Sequence, residues 1–317
     1  MKFSVIIPSY NQGRFLTETI QSVLDQRVKS ELIIIDGGSS DNSMEVIESF
    51  GDLINYWVSE PDNGQSHAIN KGFAKATGDI VAWLNSDDLY TEGALAMVTE
   101  LFEAHPEVDC IHGEGIIFGN GKTIIQGMEA GFENEQRLAG MPSPQPSLFL
   151  RKRMLDKVGG VNEGLSYGMD YDFFLRIALC GRIQYQDGFP FSEYRIHNES
   201  KTNNQKVRFA QEWAAIFSSV LKSKGANEHI AIWQELGLYS PLTSSYDVER
   251  IGFKELEVAS GLALLNVATF LNLGGDIKKA VQIIDTVKKY YRQAYDFRQV
   301  AQYDWKLRIK QHLPFIP

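Results

Sequence analysis

Only two cysteines, Cys110 and Cys180, occur in the 317 residues, far apart and outside any CxxC spacing. That excludes a disulfide-stapled scaffold and a cysteine zinc site; both thiols read as packing residues of a protein in a reducing compartment. No apolar run reaches bilayer length. The most apolar stretch, Val258 to Leu271, is interrupted by Ser260, Gly261, Asn266 and Thr269 and reads as a buried helix. The opening MKFSVIIPSY goes straight into a strand pattern without the apolar core or cleavage site of a secretion signal, so a cytoplasmic location is expected. A Walker lysine loop is missing, and so is a GxGxxG after the first strand. These absences remove the P-loop and dinucleotide-binding classes. Internal repeats and low-complexity tracts are missing too.

The composition is that of a globular chain, 44% hydrophobic, long enough for one large domain and a smaller one. Its net charge of -9 is unevenly spread, with -13 on residues 1–204 and +4 on residues 205–317. The acidic part is no surface for nucleic acid, and no nucleic-acid partner is expected. The polar stretch NESKTNN, Asn198 to Asn204, is the expected boundary between a domain at 1–204 and another at 205–317.

The first half alternates short apolar runs with helical patterns, which predicts an α/β fold with a mostly parallel sheet covered by helices. FSVII (Phe3 to Ile7) leads through PSYNQGR into a helix marked by Phe15, Ile20, Val23 and Leu24. ELIII (Glu31 to Ile35) leads through DGGSSDNS into Met44 to Phe50, and DIVAWL (Asp79 to Leu84) through NSDD into Ala94 to Ala104. Loops after parallel strands gather at the carboxyl edge of the sheet, where ligands bind near the point at which strand order reverses. PSYN, DGGSS and NSDD are therefore predicted to face one cleft. Asp87 and Asp88 repel each other there. They are either turn and cap residues or carboxylates balanced by a cation or strong donors, and the convergence of three loops favours the second. Asp36 alone is a helix cap; beside the other loops it is a candidate acceptor for a ligand N–H, with Gly37 and Gly38 allowing close backbone approach.

The ordered set FSVIIPSYNQGRFLTETIQSVLDQ, LIIIDGGSSDNS, PDNGQSHAINKGFAKATGDIVAWLNSDD and MDYDFFLR resembles the family 2 glycosyltransferases, over residues 1 to 200 and not beyond. The resemblance implies the GT-A fold, a Rossmann-like three-layer α/β/α domain on a mostly parallel mixed sheet. It implies an enzyme that takes a sugar from a nucleotide diphosphate sugar, usually a UDP-sugar, and inverts the anomeric centre. By the same resemblance Pro8, Ser9, Tyr10, Asn11 and Asp36 hold base and ribose, and a DxD-type motif falls on Asn85, Ser86 and Asp87. Many relatives carry Asp in the first of these positions. Asn85 loses that charge but keeps an amide oxygen able to accept a hydrogen bond. Asp87 is then the main ligand for Mn2+ or Mg2+, hard cations suited to carboxylate and phosphate oxygens, with Asp88 orienting it or binding a metal water.

By the same resemblance Asp170 of MDYDFFLR occupies the place of the family's general base, preceded by Met169 where relatives often have Glu. Asp172 is the rival, pointing about 200° away on a helix that starts there. Gln145 borders the acceptor in relatives and is a candidate acceptor contact. Lys71 is a candidate phosphate contact. Arg195 and His197 are candidates for the diphosphate or the metal, with an ordinary ion pair and a loop histidine as alternatives; His67 reads as structural.

The last third is helical by pattern, over Val207 to Lys222, Glu228 to Leu238, Phe253 to Leu273 and Ile277 to Lys310, with Gly274 and Gly275 at a turn. Its end, Thr286 to Leu313, joins Lys288, Lys289, Arg292, Arg298, Lys306, Arg308 and Lys310 to Tyr290, Tyr291, Tyr295, Phe297, Tyr303 and Trp305. Such a helix fits peripheral contact with an anionic inner membrane face, or an aromatic face packed on the domain or on a second copy in a homodimer.

The expected activity is inverting, metal-dependent sugar transfer to a hydroxyl of a saccharide or lipid-linked saccharide, in cell-surface polysaccharide synthesis. Two alternatives stand beside it. A nucleotide-sugar binder with a degenerate site is suggested by Asn85 and Met169; a sugar nucleotidyltransferase typically has a basic Gly-rich loop after strand one, where only Arg14 is present.

Overall fold

A computed structural model describes residues 1–119 and 121–298. Its strands are β1 (Phe3–Ser9), β2 (Ser30–Asp36), β3 (Tyr56–Ser59), β4 (Ile80–Trp83), β5 (Leu89–Tyr90), β6 (Cys110–Gly113), β7 (Gly115–Gly119), β8 (Lys122–Gln126), β9 (Leu148–Arg151), β10 (Ile183–Gln186) and β11 (Ser192–Arg195). The helices are α1 (Gly13–Leu24), α2 (Ser43–Ser49), α3 (Gln65–Lys75), α4 (Ala94–Ala104), α5 (Glu133–Ala139), α6 (Lys152–Val158), α7 (Met169–Cys180), α8 (Lys201–Asn204), α9 (Lys206–Lys224), α10 (Asn227–Glu235), α11 (Phe253–Leu273), α12 (Ile277–Tyr290) and α13 (Arg292–Phe297).

The chain divides into two compact units. The first holds Met1–Glu129, Pro142–Phe173 and Gly181–His197; the second holds Ala130–Met141, Phe174–Cys180 and the chain from Asn198 on. This differs from the expected single break at residue 204. The polar stretch that reads as a linker forms α8 instead, and two earlier segments belong to the second unit.

In the first unit a seven-stranded sheet has the order β10-β6-β9-β4-β1-β2-β3. β1 pairs in parallel with β2 and β4, and β2 with β3, while β9 runs antiparallel to β4 and β6. β1 is buried along its whole length, because a parallel strand covered on both faces is apolar throughout rather than alternating. Phe3, Val5 and Ile7 pack with Leu16, Ile20 and Val23 of α1 and with Val98 and Phe102 of α4. On the other face Gly72 of α3 comes so close to Ile6 that a Cβ there would lie 2.3 Å from its Cγ2. The three layers expected from the resemblance are present. A second sheet, β5-β11-β7-β8, pairs β11 antiparallel with β5 and parallel with β7.

The second unit is built around α11, which matches the predicted span Phe253 to Leu273. By length and composition alone this helix could cross a membrane, but 67% of its apolar window is buried in the protein. Phe270 meets Phe209 and Trp213 of α9, and Asn266 donates to the Ala139 carbonyl of α5 at 3.0 Å. Gly261 lets α13 approach: a Cβ there would lie 2.5 Å from that of Ala294. The helix predicted from Ile277 to Lys310 ends at Tyr290 and restarts as α13. Tyr291 and Tyr295 are buried within the unit, which favours the packed aromatic face at these two positions. Lys306, Arg308, Lys310, Tyr303 and Trp305 lie outside the described residues.

Candidate active site

The chain leaves β1 toward β2 and β3 on one side and returns to β4 on the other, so strand order reverses between β1 and β4. β1 pairs with β2 as far as Ser9 opposite Asp36, but with β4 only as far as Ile6 opposite Trp83. Pro8, which has no N–H, falls where β1 has no β4 partner. Beyond it Tyr10 stands 62% exposed, and Asn11 takes a left-handed φ of 53° that asparagine tolerates. Among the described residues, Ser9 Oγ and Gln12 Oε1 are buried without a hydrogen-bond partner. Orphaned polar atoms of this kind at a sheet edge fit a polar ligand that would satisfy them.

Asp36 corrects an expectation. Its carboxylate is fully buried and accepts from Gly38 N (3.1 Å), Ser39 N (2.8 Å), Ser39 Oγ (2.5 Å) and Ser59 Oγ (2.6 Å). Its own loop and Ser59 of β3 place three bonds on Oδ2 and one on Oδ1, so most of the acceptor capacity expected for a ligand is spent within the protein. Gly38, at φ 81°, makes that closure, while the space beside Gly37 is filled by the Asp62 carboxylate. Ser39 Oγ in turn accepts from Asn11 N at 2.7 Å, and the Asn11 side-chain oxygen accepts from Ser40 N at 2.8 Å. Asp36 therefore ties the PSYN loop to the DGGSS loop.

At the end of β4, Asp87 and His197 meet, with Oδ2 and Nε2 3.0 Å apart and side chains 22% and 15% exposed. β11 brings His197 there. The Arg195 backbone N–H donates to Asp88 Oδ1 at 2.9 Å, its Nε to the Asp87 carbonyl at 3.0 Å and its Nη2 to Glu18 Oε2 at 2.5 Å, and its guanidinium lies between the rings of Phe15 and Phe118. Arg195 thus holds the acidic loop, where the sequence suggested a reach toward diphosphate. Asp88 is 1% exposed, with Oδ1 taken by Arg195 and Oδ2 accepting from Asn85 Nδ2 at 3.0 Å. Burial and the Asp87 charge push its carboxyl well above the usual range against those two donors. With both oxygens engaged by donors of the protein, it is placed to orient the loop and less suited than Asp87 to bind a cation.

Asn85 is equally engaged: Oδ1 accepts from Gln65 Nε2 at 2.8 Å, and Nδ2 also lies 3.4 Å from Gln145 Oε1. Gln145 is buried and donates to the Trp83 carbonyl at 3.0 Å, so it supports the strand end and is no exposed acceptor contact. The Ser86 carbonyl accepts from Thr19 Oγ1 of α1 at 2.9 Å. Lys71 pairs with Glu60 instead of standing ready for phosphate, and this ion pair holds Glu60 below its ordinary range. His67 is structural as expected, its Nδ1 accepting from Asn63 N at 3.2 Å.

Met169, the residue before Asp170, is tied to the acidic loop through α3. Gln65 touches Asn85, and the next residue, Ser66, touches Met169 Sδ and the Leu165 carbonyl. Phe173, one turn into α7, packs on Trp83 just before the acidic loop. Asp170 is half-buried, with Oδ1 accepting from Tyr171 N at 2.8 Å, whereas Asp172 is 2% exposed. Of the two rivals, Asp170 is the accessible one. Sequence reasoning missed Gln65, Glu18 and Ser39. Glu18 lies three residues after Phe15 on α1, and that same-face spacing is a usable signal; Ser39 comes directly after Gly38, which closes the Asx-turn on Asp36.

Sheet, switch point and acidic loop define an α/β protein whose candidate site lies at the carboxyl ends of β1, β2 and β4. The family model described as "Glycosyl transferase family 2" matches residues 4–163, half of the chain, and the chain belongs to that family. An uncharacterised glycosyltransferase of Nostoc sp. is 38% identical over 172 residues, covering 50% of this chain and 53% of the relative; the chain thus spans about half the relative's length. The solved structure of S. aureus TarS 1-349 in complex with UDP-GlcNAc superposes with a TM-score of 0.59 at 19% identity, covering 92% of each chain. The mannosyltransferase PcManGT from Pyrobaculum calidifontis in complex with GDP-Man and Mn2+ does so at 0.57 and 17%, covering 99% of this chain and 88% of the other. The fold is that of the GT-A glycosyltransferases, with a helical region at the C-terminal side.

Proposed function

We propose that this protein moves a sugar from a UDP-sugar to a hydroxyl of a saccharide or lipid-linked saccharide, with inversion, in the cytoplasm during cell-surface polysaccharide synthesis. The observation that carries this reading is the pair Asp87 and His197 at 3.0 Å beside the switch point. Among the described residues no group of three or more His, Cys, Asp or Glu could hold a metal by itself. Two protein ligands are still the right number for an ion shared with a diphosphate. The Asp87 carboxylate and the His197 imidazole, hydrogen-bonded at 3.0 Å and only partly buried, are the side chains that would hold such an ion once the imidazole Nε2 is free of its proton. The structural neighbours, solved with UDP-GlcNAc in one case and with GDP-Man and Mn2+ in the other, support donor and metal. A 22% identity to E. coli chondroitin synthase over 80% of this chain supports a saccharide acceptor.

When bound, the cation would neutralise charge growing on the leaving diphosphate. Exposed Tyr10 offers a face to the base, and Ser9 and Gln12 offer their orphaned oxygens to the nucleotide. Asp170 takes the proton of the acceptor hydroxyl as its oxygen bonds to the anomeric carbon and the bond from that carbon to the diphosphate breaks. This single displacement inverts the centre. Asp172 is too buried for that part. Asn85 and Met169, the departures that suggest a degenerate binder, are each built into contacts around the site, and turnover is what separates the two readings. UDP release from a panel of UDP-sugars with Mn2+ tests the proposal. Release abolished by chelator and by Asp87→Ala, with the thermal melt intact, is expected; full release in chelator refutes the metal, and no release from any donor refutes the enzyme.

A further inference from the structure

The direction of the hydrogen bonds around Asn85 is fixed from a main-chain carbonyl. The Trp83 carbonyl can only accept, so Gln145 turns Nε2 toward it at 3.0 Å and leaves Oε1 toward Asn85. Asn85 meets that oxygen at 3.4 Å and Asp88 Oδ2 at 3.0 Å with its Nδ2, which puts Oδ1 on the opposite side. There Gln65 supplies the donor, its Nε2 standing 2.8 Å from Asn85 Oδ1. Reversing the Asn85 amide would set its oxygen against the Gln145 oxygen and its N–H groups against those of Gln65. Gln65 therefore holds Asn85 in the orientation that donates to Asp88.

Gln65 is also the first residue of α3, and α3 is fastened to the segment that leads to Asp170. Ser66 Oγ donates to the Leu165 carbonyl at 3.0 Å and lies 2.7 Å from Met169 Sδ, one residue before Asp170. One turn further, on the same helix face, Asn70 holds both main-chain groups of Val161: its Nδ2 donates to the carbonyl at 3.0 Å, and its Oδ1 accepts from the N–H at 2.9 Å. Gly160 makes room for that contact, since a Cβ there would lie 2.2 Å from Asn70 Oδ1. Phe73 of α3, Trp83 of β4 and Phe173 of α7 close a triangle of rings with centroids 5.5 to 5.8 Å apart. One helix thus carries the approach to α7 and, at its first residue, the acidic loop.

We infer that Gln65 is a positioning residue: through Asn85 it ties the acidic loop to α3, so that a single helix sets the separation of Asp87 from Asp170. The inference rests on the roles proposed above for those two carboxylates. Without the Gln65 donor the Asn85 amide is free to turn, and the loop that carries Asp87 loses its tie to the helix that holds the base segment. Two consequences follow together. Cation binding weakens, and transfer slows even at saturating cation, because a misplacement of about 1 Å can cost about 100-fold in rate.

The test compares Gln65→Glu, which keeps the shape and removes the donor, with Gln65→Met, which removes both polar groups. Mn2+ is titrated calorimetrically into the UDP-loaded chain, and UDP release is followed at saturating Mn2+ with the donor of the panel that turns over fastest. Both variants bind Mn2+ about 10-fold more weakly and release UDP about 10-fold more slowly, with melting temperatures within a few degrees of wild type. Gln65→Glu is the worse of the two, because its carboxylate faces Asn85 Oδ1; a packing role predicts the reverse order. On an Asn85→Ala background, Gln65→Met adds less than about twofold, since the contact through which it acts is gone. Wild-type Mn2+ binding, or a wild-type rate at saturating Mn2+, in Gln65→Glu overturns the inference. So does a larger loss in Gln65→Met than in Gln65→Glu, or a Gln65→Met loss that multiplies in full on Asn85→Ala; where Asn85→Ala does not fold, the order of the two single variants decides. A wild-type chain that binds Mn2+ with UDP but releases UDP from no donor refutes the transferase reading, and the Mn2+ titrations then decide the role of Gln65. Release by wild type with both variants unaltered refutes the role of Gln65 alone, and no Mn2+ binding to the UDP-loaded wild type refutes it together with the metal.

Discussion

Replacing Arg195 with methionine separates the support of the Asp87–His197 pair from the pair itself. The backbone N–H of residue 195 donates to Asp88 Oδ1 at 2.9 Å and survives any side-chain change. What the substitution removes is the Nε bond to the Asp87 carbonyl, the pair with Glu18 and the cation between two rings. A hydrogen bond from a charged donor contributes about 1.5–3 kcal/mol. The Glu18 partner is 61% exposed and adds about 0–1 kcal/mol. Methionine keeps an unbranched apolar stem between Phe15 and Phe118, so packing loss is small. Partners that orient metal ligands typically account for about 10-fold to 100-fold in metal affinity or activity. The assay is UDP release against Mn2+ concentration: the half-maximal point for Arg195→Met moves up by about 10-fold to 100-fold, with the rate at saturating Mn2+ within a few-fold of wild type. Arg195→Lys falls between, since one ammonium cannot reproduce the planar fork. A Mn2+ curve identical to wild type, in a variant whose melting temperature has dropped, refutes the positioning role.

Asp170→Asn lowers transfer by about 100-fold to 10,000-fold without weakening UDP binding, as expected for loss of a positioned base; Asp172→Asn, at a buried position, lowers the melting temperature instead, and the opposite pattern in paired kinetics and melts reverses the assignment. Glu31, at the amino edge of β2, is held at about 2 because donors from Lys2, Ser4 and Thr77 outweigh the burial that raises it. With its unfolded value at 4.5, its stabilisation is present above pH 4.5 and is lost as pH falls toward 2. That shift corresponds to about 2–3 kcal/mol after allowance for the partly exposed Lys2 partner, so Glu31→Gln melts several degrees lower at pH 7 and converges with wild type only as pH falls to about 2; a gap between the two melting curves that does not narrow toward pH 2 contradicts it. The basic aromatic stretch from Thr286 to Leu313 is expected to bring the chain down with anionic but not neutral vesicles at low salt, an effect that high salt removes, and absence of sedimentation at low salt ends the membrane idea.

The strands that build the functional edge are legible because a parallel strand covered on both faces must be apolar throughout. FSVII, ELIII and DIVAWL announce themselves, and the polar loops after them have to lie at one edge. The small sheet is not legible in this way. Leu89 and Tyr90 pair with Ser192 and Glu193 across a hundred residues of chain, and strands of two to five residues carry too little periodicity to predict a partner. Yet this pairing delivers Arg195 and His197 to Asp87. Asp36 shows a second limit: the sequence displays a carboxylate at a strand end, but whether its lone pairs face a ligand depends on Ser39 and Ser59, one of which comes from another strand. The break after Tyr290 is a third case, since its helical spacing continues while Gly261 lets a separate short helix pack against α11.

Asn85 draws these limits together. Read against relatives with Asp at that position, it looks like a lost charge. In the structure Asp88 is buried and already carries the repulsion of Asp87. Asn85 is one of the two donors that make this tolerable, its Nδ2 bonding to Asp88 Oδ2 at 3.0 Å while its oxygen accepts from Gln65. An aspartate in the same place has no N–H for Asp88 and brings a third carboxylate into four residues, one of them out of water. A neutral amide at position 85 therefore belongs to the arrangement that leaves Asp87, and not Asp88, facing His197. The residue that appears to weaken the motif is the one that lets the buried half of the acidic pair stay folded beneath the half that is exposed.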